Sequence, residues 1–154
     1  LFGKLRARIP GLVLRTSLIT GLPGEGEAEF EELCDFLREA KIERAGVFPF
    51  SPEEGTPAAA MPHADGETAR ARAEQIMELQ AGIMDEWERG LIGRTVSVLC
   101  ESRDTKRRLW LGRGYFDSPG IDGTVAFSGK AAPGEVVNVK ISAASDGELR
   151  GETV

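Results

Sequence analysis

At Gly90 the spacing of apolar residues changes period, and that change divides the chain into two parts that cannot share one fold. Before it, Ala69, Ala73, Ile76, Met77, Leu79, Ile83, Met84 and Trp87 recur at intervals of three and four. This is the stripe of an amphipathic helix; the spacing predicts one over 66–89, with Gly90 placed to end it. After it, Val96, Val98 and Cys100 alternate with outward residues in a strand expected at 95–100, and further strands are expected at 109–115, 124–127 and 136–141, separated by Gly, Asp and Pro turns. About five short strands in a segment of this size can close as a small antiparallel, OB-like barrel, which hides strand edges.

Ahead of the long helix, residues 13–20 read as a strand broken by Gly21-Leu-Pro-Gly24. A helix is expected at 27–40, with Phe30, Leu33, Cys34 and Leu37 inward and carboxylates at Glu25, Glu27, Glu29, Glu31 and Glu32 near its positive end. Strand, helix, strand at this spacing is a βαβ unit, so residues 1–90 are expected to be α/β with a parallel sheet. The second strand, Val47 to Phe50, is apolar at successive positions and predicts a strand buried on both faces. It opens into Ser51-Pro-Glu-Glu-Gly-Thr-Pro-Ala58, a loop shaped by Pro52, Pro57 and Gly55. Such a loop is either a ligand-site element or a plain connection. Two strands and two helices cannot close a parallel sheet, and a full eight-stranded barrel needs about 250 residues. Together with the absence of an initiating Met, this predicts the last section of a longer domain.

The balance of charge follows the same division. Residues 1–90 hold 10 Lys or Arg against 17 Asp or Glu, and residues 91–154 hold 9 against 8. The acidic first part argues against wholesale nucleic-acid binding there, and the second is basic only locally, at Arg103, Lys106, Arg107 and Arg108. No segment approaches the roughly 20 apolar residues of a membrane span, so no membrane partner is expected. Cys34 and Cys100 match no zinc, haem or cluster spacing. They fit a reducing, cytoplasmic setting, with Cys34 as a core thiol.

Few residues suggest chemistry directly. The turn Gly21-Leu-Pro-Gly-Glu25 is neither a P-loop nor a dinucleotide fingerprint; it is either a tight turn or a place where backbone approaches a ligand. Glu53 and Glu54 read as a solvated pair, and His63, the only histidine, has no partner in sequence for nucleophilic catalysis. No catalytic residue and no metal ligand is therefore assigned. In Leu109-Trp-Leu-Gly-Arg-Gly-Tyr-Phe-Asp-Ser-Pro-Gly-Ile-Asp-Gly123, Arg113 and Tyr115 would share a face, as a contact surface or as a barrel corner with a buried Tyr.

Three segments in this order, Leu14-Arg-Thr-Ser-Leu-Ile-Thr-Gly-Leu-Pro-Gly-Glu25, Phe48-Pro-Phe-Ser-Pro-Glu-Glu-Gly-Thr-Pro-Ala58 and Gly112-Arg-Gly-Tyr-Phe-Asp-Ser-Pro-Gly-Ile-Asp-Gly123, resemble the radical S-adenosylmethionine methylthiotransferases. The resemblance implies that residues 1–90 are the C-terminal part of a radical SAM partial TIM barrel and residues 91–154 a TRAM domain, the substrate-engaging barrel. It implies a monomeric parent enzyme carrying two 4Fe-4S clusters and S-adenosylmethionine. That enzyme would insert sulfur and a methyl group at the β-carbon of an aspartate of ribosomal protein S-twelve, in the small ribosomal subunit, after a radical abstracts hydrogen there. It also implies that Thr16, Gly21 and Glu25 border the S-adenosylmethionine pocket and that Arg113, Tyr115 and Asp117 contact the protein substrate. The family's Cys-x-x-x-Cys-x-x-Cys is not in this chain, so the chain alone is expected to be inactive. Gly26 and Gly114 depart from the family's usual Thr and Ser or Thr.

Two rivals remain. The MiaB-like branch acts on tRNA, but its loop resembles Ser-Ala-Arg-Pro-Gly-Thr where this chain has Ser-Pro-Glu-Glu-Gly-Thr, and the second part is near neutral where a tRNA-holding module would be basic; a protein substrate is favoured. The other rival is a free-standing, non-catalytic TRAM or OB-like RNA-binding module.

Overall fold

Arg15–Thr20 (β1) and Arg44–Pro49 (β2) pair in parallel, Arg15 opposite Arg44 and Thr20 opposite Pro49, with Glu27–Ala40 (α2) as the crossover. The computed structural model describes residues 1–154. It divides by contacts into two units, Leu1–Ile83 and Met84–Val154.

In the first unit the elements run Phe2–Arg8 (α1), β1, α2, β2, a short 3-10 turn at Ala58–Ala60 and Gly66–Arg89 (α3). The core is helix against sheet: Phe30, Cys34, Leu37, Ile42, Ile76 and Ile83 are buried together, and Leu18, Ala45 and Val47 pack onto them from the strands. A fully buried Leu or Ile such as Leu37 or Ile76 contributes about 2 kcal/mol by area. The strands are covered on this face alone. Side chains alternate across a strand, so Ile19 and Phe48, paired in register, turn the other way and are 46% and 58% exposed. The expected burial of the second strand on both faces is thus wrong: α2 and α3 cover one side of β2, and Phe48 stands on the open one.

Caps explain the helix limits. Glu29 accepts the Gly26 N–H at 2.9 Å, half of a capping box that lacks its N-cap side chain. Asp65 accepts the N–H groups of Glu67 and Thr68 at 3.0 and 2.7 Å and so starts α3; the Thr68 bond, ahead of the others, holds the Asp65 carboxyl below its ordinary range. The C-terminal end of α2 is capped from outside. Arg6, on α1, donates to the carbonyls of Ala40 and Lys41 and pairs with Glu43 at 2.9 Å, while Glu43 also accepts the Leu14 N–H at 2.9 Å.

The second unit carries Thr95–Asp104 (β3), Leu109–Gly114 (β4), Thr124–Ser128 (β5), Val136–Ser145 (β6) and Glu148–Thr153 (β7), closed in the order β3-β4-β5-β7-β6. Val98, Cys100, Val125, Phe127, Val139, Ile141 and Leu149 are its buried core. Four pairings are antiparallel, and β5 and β7 run parallel. β3 and β6 extend beyond the expected 95–100 and 136–141. Each carries a register shift, between Cys100 and Ser102 and between Ile141 and Ala143, and bulges of this kind bend long strands round a small barrel. The end of α3 belongs to this unit because Trp87 packs edge-on against Phe116, ring centroids 5.1 Å apart.

Candidate functional site

In α/β units ligands lie beyond the carboxyl ends of parallel strands. Here that region of the first unit is an open cleft of about 570 Å³, lined by Gly24–Gly26 from the turn after β1 and by Pro62–Asp65, Thr68 and Arg72 from the approach to α3 and its first turns. Its floor is tied down from three sides. Phe50 N–H donates to the Thr20 carbonyl at 2.8 Å, fastening the end of β2 to that of β1. The buried Thr20 hydroxyl donates to the Ala69 carbonyl at 2.9 Å, fastening β1 to α3. Gly21 sits against the same residue: its φ is +80°, and a Cβ there would lie 2.5 Å from the Ala69 Cβ.

Glu25 links the turn to α3. Its carboxylate accepts the Gly21 N–H at 2.8 Å and a bond from Arg72 at 2.9 Å, and Arg72 also donates to the Glu25 carbonyl and to Glu27, each at 3.2 Å. The side chains of Glu25 and Arg72 are each only 10% exposed. Burial works against the Arg72 charge, but the hydrogen bonds it donates to Glu25 and Glu27 outweigh it and hold the guanidinium above its ordinary pKa. The Arg72 guanidinium also lies over the Phe30 ring, 5.2 Å from its centroid, a cation–π contact that secures the first turn of α2.

Of the three residues expected to border the S-adenosylmethionine pocket, the fold brings Gly21 and Glu25 into direct contact and leaves Thr16 apart. Thr16 lies about 13 Å up the strand from Thr20, on the same face as Leu18 and Thr20, which is turned to the helices. Arg72, which the sequence reading missed, completes the cluster; it is one of three arginines on α3, and nothing in its local sequence sets it apart from Arg70 and Arg89. Glu53 and Glu54 are exposed, and the loop around them is shaped locally, Thr56 Oγ1 donating to the Glu53 carbonyl at 2.8 Å. His63 lies edge-on to Phe50, centroids 5.3 Å apart, with Nδ1 2.8 Å from the Ala64 carbonyl.

In the second unit Arg113, Tyr115 and Asp117 separate in role. Arg113 Nε donates to Glu101 at 2.8 Å across the β3–β4 pair. Asp117 is buried and closes the turn after β4, accepting the Gly114 N–H at 2.9 Å while its own N–H donates to the Gly114 carbonyl at 3.2 Å. Tyr115 is past the end of β4 and 66% exposed, so it is not the buried corner residue the sequence allowed. Its ring meets Phe116 edge-on at 5.1 Å. A Cβ on Gly114 would stand 2.5 Å from the Phe116 ring. The glycine that departs from the family pattern is thus what this buried ring requires.

Cys34 and Cys100 are both buried, and burial pushes each thiol above its ordinary pKa. Neither lies in a group of three or more His, Cys, Asp or Glu residues able to hold a metal ion. Single buried thiols, one in each unit, do not fit an iron–sulfur cluster.

Residues 92–154 match the TRAM domain family. The whole chain is similar, at 48% identity over 157 aligned positions, to a ribosomal protein uS12 methylthiotransferase RimO from Anaeromyxobacter sp. (strain Fw109-5), of which it covers 33%. It is 46% identical to the protein of that name from Pelotomaculum thermopropionicum, covering 36% of it. Against the one from Synechococcus sp. (strain JA-2-3B'a(2-13)) it is 40% identical, with 98% of this chain and 32% of the relative covered. The chain thus spans about a third of the length of the curated relatives it matches.

Proposed function

From a chain similar along its whole length to ribosomal protein uS12 methylthiotransferases, we propose that it is the carboxy-terminal portion of such an enzyme, one that puts a methylthio group in place of a hydrogen on the β-carbon of an aspartate in that ribosomal protein. The identity of 48% over all of this chain carries the reading. We take residues 1–90 as the end of the radical SAM barrel and 91–154 as the TRAM domain, a boundary supported by the end of α3 at Arg89 and the family match from residue 92. The setting is cytoplasmic, where such a substrate is made, and the parent acts as a monomer. No helix is long and apolar enough to cross a membrane.

The parent's two 4Fe-4S clusters and its radical chemistry belong to the rest of the protein, since the donors of this chain do not fit a cluster. This portion shapes and docks. Gly21 and Glu25 border S-adenosylmethionine, which would supply the reactive methyl and adenosyl groups. Their part is to keep the turn after β1 in one conformation, which the Arg72 pair supports. Thr16, facing the helices, supports that strand from behind. In the barrel, Tyr115 meets the protein substrate while Arg113 and Asp117 hold the strand end and the turn that carry it.

The test uses the longer protein that carries this chain, with its clusters assembled, together with the ribosomal protein of the same organism. Mass spectrometry of the substrate peptide should show one methylthio group replacing hydrogen on an aspartate. A substrate recovered unchanged while S-adenosylmethionine is cleaved refutes the reading. The chain of 154 residues alone, given S-adenosylmethionine and a strong reductant, should give no 5'-deoxyadenosine. A second reading, RNA binding, is favoured by the Arg103 guanidinium lying 4.4 Å from the Trp110 ring centroid beside Lys106 and Arg108. It predicts an RNA affinity that falls steeply with salt.

A further inference from the structure

The β6–β7 hairpin turns through two residues, Asp146 and Gly147, between the paired Ser145 and Glu148. Both are in the left-handed region, at φ +52° and +74°. A type I′ turn demands this, and Asp-Gly is among the pairs that meet the demand. The same choice sets a carboxyl group beside a backbone nitrogen that no following side chain shields. Attack of such a nitrogen on the aspartyl side chain closes a five-membered succinimide. The N–Cγ bond forms, the C–OH bond of the protonated carboxyl breaks, and the amide proton leaves with that hydroxyl as water. Water then opens the ring at either carbonyl. One opening restores aspartate; the other gives isoaspartate, whose main chain runs through the side chain and whose α-carboxylate is free. The water lost in the first step is returned in the second, and nothing else is consumed.

The chain holds three Asp-Gly pairs, at 65–66, 122–123 and 146–147, and the fold treats them differently. Asp65 accepts the N–H groups of Thr68 and Glu67 at the start of α3, which favour its ionised form, and an ionised carboxyl has no hydroxyl to lose. Asp122 accepts the Ser118 N–H, and Gly123 is pressed against the β6–β7 turn: a Cβ there would lie 1.9 Å from the Gly147 carbonyl oxygen. Neither pair has the freedom to bring nitrogen and carboxyl into line. Asp146 is exposed, and its carboxylate accepts one bond, at 2.7 Å from the hydroxyl of its neighbour Ser145. The Gly147 carbonyl accepts the Thr124 N–H at 3.3 Å, but the Gly147 N–H carries no hydrogen bond. Both reacting groups are therefore at liberty here alone.

We propose that Asp146 is a modification site, at which isoaspartate forms spontaneously in the native protein. The product adds one backbone carbon to a two-residue turn. Glu148, the first residue of β7, pairs with Arg107 and Arg150 and lies opposite Thr124 of β5, so the added length falls where β6, β7 and β5 close the barrel.

The test holds the full chain in warm neutral buffer, native in one arm and unfolded in urea in the other, and then digests it with trypsin. The three pairs fall in separate tryptic peptides, 45–70, 114–130 and 141–150. Isoaspartate leaves the mass unchanged, shifts the chromatographic retention and abolishes cleavage by the endoproteinase that cuts before aspartate. In the native arm this loss of cleavage should appear at Asp146 and stay at the level of fresh protein at Asp65 and Asp122; in urea it should appear at all three. The fluorescence of Trp87 and Trp110 shows that the native arm keeps its barrel. Asp146→Asn, which suits the left-handed region as aspartate does, should convert faster and with a gain in mass, because ammonia leaves an amide without a carboxylate first taking up a proton. A native 141–150 peptide that keeps all its aspartate overturns the inference. So does equal conversion of the three pairs in the native chain, or an Asp146→Asn chain that retains its amide.

Discussion

Replacing Gly21 by Ala puts a methyl group where α3 is seated on the turn after β1. Two costs can be worked out. At φ +80° an Ala is in the left-handed region, at roughly 1–2 kcal/mol, reduced by about 0.5 kcal/mol because the unfolded chain is also restricted. The new Cβ would be 2.5 Å from the Ala69 Cβ, about 1 Å short of ordinary contact. Overpacking of that kind costs about 1–3 kcal/mol, and it would strain the Thr20–Ala69 hydrogen bond beside it. The total is about 2–4 kcal/mol. Ala69→Gly removes the opposing methyl and by itself costs about 1 kcal/mol in helix propensity. In the double variant the clash is relieved and the backbone cost remains, so the pair should be less destabilised than the sum by about 1–2 kcal/mol. Urea unfolding followed by far-ultraviolet circular dichroism reads this, since α2 and α3 supply most of the helix, whereas Trp87 and Trp110 both lie in the other unit. A double variant that is simply additive, or a Gly21→Ala variant within 0.5 kcal/mol of the parent, would refute the seating argument.

Arg72→Met keeps much of the packing on Phe30 and leaves the Glu25 carboxylate without its cation. Because the pair is about nine-tenths buried, the loss should be about 2 kcal/mol by urea unfolding, and Glu25→Gln added to it should recover part of that loss. In the barrel, burial opposes the Glu148 charge but hydrogen bonds from Arg107 and Arg150 prevail and lower its pKa. A carboxylate with a depressed folded pKa contributes stability above its unfolded pKa and loses it as pH falls through the folded one. The melting temperature should therefore drop on acidification below the ordinary glutamate range, and Glu148→Gln should flatten that acid limb; identical limbs would remove Glu148 from the account. Gly26→Thr restores the missing half of the α2 capping box at an extended position, φ -91°. It should raise stability by a few tenths of a kcal/mol, measurable as a small rise in melting temperature.

What the sequence disclosed followed from local rules. The limits of α2 and α3 agree with expectation because periodicity and caps lie within each segment: Glu29 and Asp65 sit beside the ends they fix. α1 was not foreseen because nothing local makes it a helix; Arg6 and a tilted Phe2–Phe36 contact at 6.0 Å hold it from outside. The polar ends of β3 and β6 and the whole of β7 escaped for the same reason, their partners being strands that only closure of the barrel brings near, β5 and β7 in parallel among them. At the cleft, Gly21 and Glu25 were legible as a turn. Arg72 was not, since 47 residues separate it from the carboxylate it holds. On the barrel, Arg113 and Asp117 were expected as contact residues from their place in a motif that resembles a family's; their partners, Glu101 and the Gly114 backbone, give each a structural bond that the motif does not reveal.

The cap on α2 also sets an order of events. Arg6 is synthesised 34 residues before the Ala40 carbonyl it serves. The anchors of Arg6, the carbonyls of Ala40 and Lys41 and the Glu43 carboxylate, are absent until α2 is complete and Glu43 has emerged. Phe2–Arg8 therefore settles only after α2, although it precedes α2 in the chain. A ribosome pausing before residue 43 would hold a chain in which Arg6 has not yet found its partners.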